Sequence, residues 1–239
     1  MEKRPVSEAL ILGAFICLGL ALLGLQFHQG IRAFKALDRT VAVKGLSERE
    51  VPADVVIWPI KFNEVGNGLG EIFSAIQDKN ALVVAFLKAN GFTDGEITVS
   101  VPAVTDRQAL DYADASKLPY RYSGVSVVTV YTSHVDRVRE AMNRVAGLGR
   151  QGVAVMGDDY QARPEFLFTG LNALKPSMIE EATRNAREVA ERFAQDSRSR
   201  LGKIRTANQG QFSISDRDSN TPHIKNVRVV ATVEYYLSD

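Results

Sequence analysis

The chain has 239 residues, of which 45% are hydrophobic and 24% are charged, and its formal net charge is +1. These values are close to globular averages, so they exclude a disordered or fibrous chain. Lysine and arginine are spread along the sequence, which excludes the clustered basic surface of a nucleic-acid-binding protein. Cys17 is the only cysteine, so we expect no internal disulfide and no cysteine-based zinc site.

The N-terminal segment carries the strongest signal in the sequence. Residues 9–27 read ALILGAFICLGLALLGLQF and carry no charge, which matches the ~20 apolar residues that cross a bilayer as a helix. We expect a short tail at residues 1–8, a single-pass transmembrane signal anchor at residues 9–27 in contact with the lipid bilayer, and a linker or amphipathic extension at residues 28–39. A cleaved signal peptide is the alternative, although its apolar region usually spans ~7–15 residues.

The charges around this helix do not set its orientation. Lys3 and Arg4 precede the apolar run, and Arg32, Lys35 and Arg39 follow it. The positive-inside rule therefore favours neither side of the membrane.

The rest of the chain, residues 40–239, alternates strand patterns with helix patterns and is expected to form one folded domain. Alternating apolar residues and turn signals predict strands at residues 40–46, 55–62, 97–101, 121–132, 152–156, 165–169, 203–214 and 227–237. Apolar residues at three- and four-residue spacing predict helices at residues 69–91, 135–146 and 176–200. Pro52 and Pro59 favour edge positions, because proline cannot donate to a sheet ladder.

The order of these elements predicts the fold class. Strands come in pairs separated by helices, so neighbouring strands can pair as hairpins while about three helices cover one face of the sheet. The expected class is therefore α+β, with a mainly antiparallel sheet preceded by one N-terminal transmembrane helix.

The sequence contains no familiar enzyme signature. Zinc-protease, phosphate-loop, nucleophile-elbow and dinucleotide-binding motifs are absent, and the three histidines are scattered. The pair Asp158-Asp159 suggests a metal site, but a turn is the simpler interpretation of these residues. Asn80, on the apolar stripe of its helix, is expected to be a hydrogen-bonded core amide. We therefore expect a non-enzymatic protein with no cofactor and no catalytic residue.

One polar stretch stands out as a candidate ligand or partner surface. Residues 196–221 are dense in side chains that donate and accept hydrogen bonds. An exposed hairpin is the simpler interpretation. The long loop at residues 102–119 is a second candidate for function. The candidate residues in the polar stretch are Asp196, Arg198, Arg205, Asn208, Gln209, Gln211, Asp216, Arg217 and Asp218.

Several segments together resemble the SIMPL (DUF541) family of bacterial envelope proteins. They are TVAVKGLSEREVPADVVIWPI, IFSAIQDKNALVVAFLKANGF, MIEEATRNAREVAERFAQDSRSRLGKI and VRVVATVEYYL. The chain departs from the family in two ways: members commonly have Pro-Asp after the first strand where this chain has Pro52-Ala53-Asp54, and many have a cleaved signal where an anchor is expected here. The resemblance implies a SIMPL-type α+β domain, export to the periplasm, association with oxidative-stress defence and, in some members, large oligomers.

These observations lead to one main hypothesis and one alternative, with an enzyme that lacks a familiar motif ranked last. The main hypothesis is a single-pass protein of the bacterial inner membrane whose C-terminal domain lies in the periplasm and self-assembles or holds protein partners there. A homo-oligomer is expected, and a link to oxidative or envelope stress follows from the resemblance alone. The alternative is a small-molecule or metal-binding module that uses residues 196–221.

Overall fold

The structure is a computed structural model that describes residues 4–36, 39–109, 119–157 and 162–238, with side chains from residue 10 to residue 28 in the first helix. The helices are α1 (Arg4–Ala36), α2 (Leu69–Ala89), α3 (Val135–Arg144), α4 (Ala146–Arg150) and α5 (Leu171–Asp196). The strands are β1 (Thr40–Pro52), β2 (Val55–Gly66), β3 (Ile97–Val99), β4 (Ala103–Asp106), β5 (Tyr122–Thr132), β6 (Glu165–Leu167), β7 (Arg200–Gln209), β8 (Ser213–Asp216) and β9 (Ile224–Ser238).

Helix α1 contains the predicted apolar span. Its segment Leu10–His28 is long and apolar enough to cross a membrane, and none of that segment is buried within the protein. Cys17 lies inside it and is exposed. The helix continues to Ala36, past the predicted end of the span. The side chains of the expected amphipathic extension lie outside the described residues.

After α1, the chain divides into two compact units, and it passes between them several times. The first unit comprises residues 1–48, 175–212 and 228–239. The four-stranded sheet to which its strands belong has the order β1-β9-β7, and β8 also pairs with β9, so β1 and β7 stand at the two ends of this order. Helix α5 packs on this sheet through small side chains, and Ala186 and Ala190 lie in one core with Val43, Val233 and Tyr235.

Small residues let β1 and α5 approach each other at backbone distance. A Cβ atom added at Gly45 would lie 1.9 Å from the carbonyl oxygen of Ala182 and 2.4 Å from the amide nitrogen of Ala186. The Ser47 hydroxyl donates a hydrogen bond to Glu181 at 2.9 Å, and the Asn185 amide donates to the Leu46 carbonyl at 2.8 Å. Glycine is therefore needed at position 45.

The second unit comprises residues 49–174 and 213–227. Its sheet has the order β3-β5-β2-β6, and β4 also pairs with β5. Strands β2 and β5 pair in antiparallel register from Val56 opposite Thr132 to Gly66 opposite Tyr122. The main core lies on one face of this sheet, where Ile60 and Val128 pack with Ile76 of α2 and with Val138 of α3.

The α+β class with antiparallel pairing is confirmed, but the strands form two sheets instead of one. The predicted β1–β2 hairpin does not form, because β1 pairs with β9 and β2 pairs with β5 and β6. The amide of Ala53, at the corner between β1 and β2, donates to the His223 carbonyl at 2.8 Å. The predicted strand at residues 152–156 is reduced to an isolated bridge between Val155 and Phe62.

Strand β2 is an interior strand, although Pro59 predicted an edge. Strand β6 pairs only with Val55–Ile57, so the side of β2 that faces β6 has no β6 partner at Pro59. The edge prediction from Pro59 is therefore wrong for the strand as a whole, although the short length of β6 leaves Pro59 without a partner in that strand.

Helix α5 begins five residues before the predicted start at Pro176. The Asp54 carboxylate accepts hydrogen bonds from the amides of Thr169 at 2.8 Å and Gly170 at 3.0 Å, just before the helix. These bonds satisfy donors that a helix start leaves free, and Pro176 falls in the second turn. A carboxylate 115 residues away in sequence therefore contributes to where this helix begins.

Candidate functional site

The predicted polar region, residues 196–221, does not fall within one compact unit. Residues 196–212 belong to the first unit, whereas residues 213–221 belong to the second. The nine candidate residues are therefore best described in two groups.

Asp196 and Arg198 end helix α5. Asp196 is its last residue, and Arg198 has a left-handed backbone conformation with φ of 54°. The Arg198 amide donates to the Gln195 carbonyl at 3.0 Å, and the Ser199 amide donates to the Ala194 carbonyl at 2.8 Å. This is the Schellman arrangement that terminates helices, usually with glycine in place of Arg198. Arg198 therefore serves to end the helix before residue 200, where sequence periodicity placed its end.

Arg205 belongs to a small charged cluster on β7 and β9. Its guanidinium donates to Glu234 at 3.1 Å and lies 6.0 Å from the centre of the Tyr236 ring. The Thr206 hydroxyl donates to the same carboxylate at 3.1 Å. The pKa of Glu234 is lowered, first by a hydrogen bond from Thr40 and further by Thr206 and Arg205. The cluster joins β1, β7 and β9 across one face of their sheet.

Asn208, Gln209 and Gln211 lie along the outer edge of the same sheet. All three side chains are exposed, and β7 is exposed on both of its faces from Lys203 to Gln209. Strand β7 pairs with β9 on one side and is the last strand in the sheet order. Among the strands that the structure describes, none pairs with the other side of β7.

Asp216, Arg217 and Asp218 form a second polar cluster at the β8–β9 turn. Asp216 accepts a hydrogen bond from Lys225, whose side chain is 10% exposed. Arg217 donates to Asp218 at 3.1 Å and to Glu50 at 3.4 Å. Each of these charges has a partner of opposite sign within the second unit.

Asp218 closes the turn by hydrogen bonding to the backbone. It accepts bonds from the amides of Asn220 and Thr221, both at 2.8 Å. The pKa of Asp218 is lowered, first by the hydroxyl of Thr221 and next by Arg217. This pattern is typical of an Asx turn, so the carboxylate shapes the loop and is held ionised.

His223 follows this turn and was not a candidate from the sequence. Its ring meets the Phe166 ring edge-on at 6.1 Å between centres. Its pKa is lowered by burial, and by the positive charges of Arg139 and Arg217. The imidazole is therefore neutral near pH 7, and no periodicity in the sequence could have placed it beside Phe166.

Glu96 is a second carboxyl group with a strongly shifted pKa. It accepts hydrogen bonds from the Thr132 hydroxyl and from the amide of Thr93 at 2.9 Å. These bonds lower its pKa to about 2, with the Thr132 bond as the largest cause. The carboxylate completes a capping box for the short 3₁₀ helix Asp94–Glu96, which is a structural role.

The long loop at residues 102–119 is clamped at its base. Arg121 donates to Asp106 at 2.7 Å, and the Arg121 amide donates to the Asn67 side chain at 3.0 Å. Residues 103–106 form β4, which pairs with β5. Residues 110–118 of this loop lie outside the described residues, as do Asp158 and Asp159.

The described residues give little support for a metal-binding or small-molecule-binding site. Across residues 10–28 and the described part of the domain, no group of three histidine, cysteine, aspartate or glutamate side chains is arranged to hold a metal ion. An open pocket of about 370 Å³ beside residues 145–157 is lined by valine, alanine and glycine. These side chains offer no acid, base or metal ligand.

The confirmed side-chain prediction is Asn80. Its carbonyl oxygen accepts the expected hydrogen bond from the buried Ser126 hydroxyl at 2.9 Å, although Asn80 itself is half-buried at the border of the core. The polar residues of the domain thus serve mainly to pair charges, cap helices and close turns.

Comparison with known proteins places this architecture in a family. The SIMPL family model, described as "Protein of unknown function (DUF541)", matches residues 41–235. The match begins after α1 and spans both compact units. A search of curated proteins finds no significant match to the chain.

Proposed function

Because the chain belongs to the SIMPL family, we propose that it is a non-enzymatic envelope protein that α1 anchors in the bacterial inner membrane and that self-assembles through its SIMPL domain. The domain faces the periplasm in this proposal, and the protein takes part in defence against oxidative or envelope stress. The family resemblance alone motivates the compartment and the stress role.

The apolar span of α1 supports the anchor. Its 19 residues from Leu10 to His28 extend about 28 Å as a helix, close to the ~30 Å of a bilayer core. Its large side chains are more than half exposed, for example Leu20 at 65% and Phe27 at 71%. A continuous apolar surface of this size is unfavourable in water and favourable in lipid.

The accessible edge of β7 is the observation that carries the self-assembly proposal. An exposed edge strand presents unpaired N–H and C=O groups, which form a template for pairing with another chain. Anchored copies share one membrane plane, which raises their effective concentration relative to each other. A domain with an open edge and an anchor is therefore suited to assembly between copies.

The alternative of a ligand-binding module at residues 196–221 has weaker support. Such a module needs a concave site with converging polar groups. The charged side chains of this region instead bond to near neighbours, such as Arg205 with Glu234 and Asp216 with Lys225. We therefore give assembly priority over ligand binding.

Cross-linking in membranes tests the proposal. The full-length chain is placed in lipid vesicles, treated with an amine-reactive cross-linker and sized under denaturing conditions. We expect a defined oligomer that persists when the protein is diluted with excess lipid, because a specific contact does not depend on random collision. A monomer at every ratio of protein to lipid would refute self-assembly.

Thiol labelling tests the orientation in the same chain. With Cys17 replaced by serine, Ser219→Cys offers one exposed thiol in the β8–β9 turn. We expect a membrane-impermeant maleimide to label it in cells whose outer membrane alone is permeabilised. Labelling only after the inner membrane is opened would place the domain in the cytoplasm and contradict the proposal.

A further inference from the structure

The outer edge of β7 is protected along one part and open along another. Two register irregularities occur between Leu201 and Thr206. The same part carries the basic residues Lys203 and Arg205. Bulges and charges of this kind prevent unwanted pairing of edge strands. The following segment, Thr206–Gln209, keeps a regular register, carries no charge and is exposed.

The ladder with β9 shows which backbone N–H and C=O groups of this open segment face β9 and which face outward. In the ladder with β9, Gln209 lies opposite Ala231 and Ala207 lies opposite Val233. The Gly210 amide continues the ladder by donating to the Val230 carbonyl at 2.8 Å. Backbone groups alternate sides along a strand, so those of Asn208 also face β9. The N–H and C=O groups of Ala207 and Gln209 therefore point outward from the sheet edge.

We propose that the β7 edges of two copies pair antiparallel within the segment Thr206–Gln209, around a two-fold axis at Asn208. Ala207 of each copy then lies opposite the partner's Gln209, and the outward groups of these residues form four backbone hydrogen bonds. The two sheets join into one sheet of order β1-β9-β7-β7-β9-β1. This inference rests on the proposed function and names the surface through which the anchored copies meet.

The segment suits a second copy of the same chain because it is self-complementary. In this register, Asn208 faces its symmetry mate in a non-hydrogen-bonded pair, where side chains approach most closely. An amide both donates and accepts, so two asparagine side chains can bond to each other. The charged residues Lys203 and Arg205 lie outside the paired segment, so the pairing places no like charges opposite each other.

The pairing is short, which makes the membrane anchor part of the interface. Four residues from each copy bury much less than the ~1,000 Å² expected for an independent stable interface. Confinement to one membrane raises the effective concentration and offsets this small area. A two-fold axis along the membrane normal leaves both anchors in the same bilayer.

Cysteine cross-linking tests this register, because Cys17 is the only native cysteine and can be replaced by serine. Two single-cysteine full-length chains, Asn208→Cys and Ala207→Cys, are compared in lipid vesicles under mild oxidation. Across the two-fold axis, the Cα atoms of residue 208 are expected about 4.5 Å apart, within the range of a disulfide. Those of residue 207 are diagonal neighbours about 7–8 Å apart, which is beyond that range.

We expect a disulfide-linked dimer with Asn208→Cys and loss of that dimer with Ala207→Cys. Adding Ala207→Pro to the Asn208→Cys chain removes an outward N–H and should also abolish the dimer, while the ladder with β9 stays intact. Maleimide labelling in each vesicle sample before oxidation confirms that the thiol on β7 is accessible.

The remaining outcomes overturn the inference in distinguishable ways. A dimer with Ala207→Cys in place of Asn208→Cys refutes the register. Oligomers seen with the amine-reactive reagent, but not with Asn208→Cys, leave the proposed function standing and refute β7 as its surface. A thiol at position 208 that is shielded from maleimide without forming a dimer shows that another molecule covers the edge. Monomers with both reagents refute the inference and the proposed function together.

Discussion

Replacing Gly45 by alanine should strongly destabilise the first unit. The new Cβ would lie 1.9 Å from the Ala182 carbonyl oxygen, and contacts below 3.0 Å are essentially never seen for real Cβ atoms. Both groups belong to backbone, so β1 and α5 must move apart by more than about 1 Å. A gap of 0.5–1 Å already loses roughly a quarter to a half of each dispersion contact.

The free energy of unfolding is expected to fall by about 3 kcal/mol, at the upper end of the range for overpacked cores. For a domain of this size, that loss lowers the melting temperature by roughly 6–12 °C. Thermal unfolding of the full-length chain in detergent, followed by far-ultraviolet circular dichroism, measures the change. The helix of α1 contributes a constant signal while it stays in the micelle.

Gly70→Ala is the matched control. A Cβ at Gly70 has nothing within 4 Å, and the residue lies in the first turn of α2. Alanine in a helix is favoured over glycine by roughly 0.5–1 kcal/mol, so this variant should melt at or slightly above the wild-type temperature. If Gly45→Ala melts like the wild type, the close approach of β1 and α5 is wrong.

Two further predictions concern carboxylates of the second unit. Asp54→Ala should lower the free energy of unfolding by about 1–2 kcal/mol, because it removes the acceptor at the start of α5. Asp54→Asn keeps an acceptor towards Thr169 and should lower the free energy of unfolding by less. Urea unfolding followed by the fluorescence of the single tryptophan, Trp58, measures both variants, and equal losses would contradict a hydrogen-bonding role. The pKa of Glu96 is lowered from 4.5 to about 2, so its stabilising effect is complete above pH 4.5 and is lost as the pH falls towards 2. Thr132→Val removes the main cause and should flatten the fall in stability over that range, whereas an unchanged slope would show that this hydrogen bond does not hold the pKa down.

Much of the fold follows from patterns within single elements. The alternation Val227, Val229, Ala231, Val233, Tyr235 and Leu237 predicted one face of β9, and all of these residues are buried except Leu237, which is half-buried. The three- and four-residue spacing of apolar residues predicted α2 with its buried Ile72, Ile76, Val83 and Leu87. Such patterns suffice because a strand or helix with one buried face repeats its apolar residues at the period of its own geometry.

The boundaries of elements were less predictable where distant residues act on them. Asp54 contributes to the start of α5 from the corner between β1 and β2. Arg198 ends the same helix in a left-handed conformation that glycine usually adopts, and the sequence carries no glycine there as a signal. Local propensity depends on neighbouring residues only, so it contains no information about a contact whose partner lies far along the chain.

The candidate site was also predictable only in part. The sequence identified residues 196–221 as polar and exposed, which the described residues of this region largely are. It did not show that Asp216 would pair with Lys225, that Asp218 would close a turn, or that Asn208 would lie on an open edge. These roles depend on which strands are neighbours.

An apolar N-terminal helix, an α+β domain and membership of the SIMPL family were all predictable from sequence patterns alone. The tertiary structure was needed to show that β1 pairs with β9 rather than with β2, and that no other described strand pairs with the outer edge of β7. The physical reason is that hydrophobic period and turn chemistry act over a few residues, whereas strand pairing is selected by packing between segments far apart in the chain.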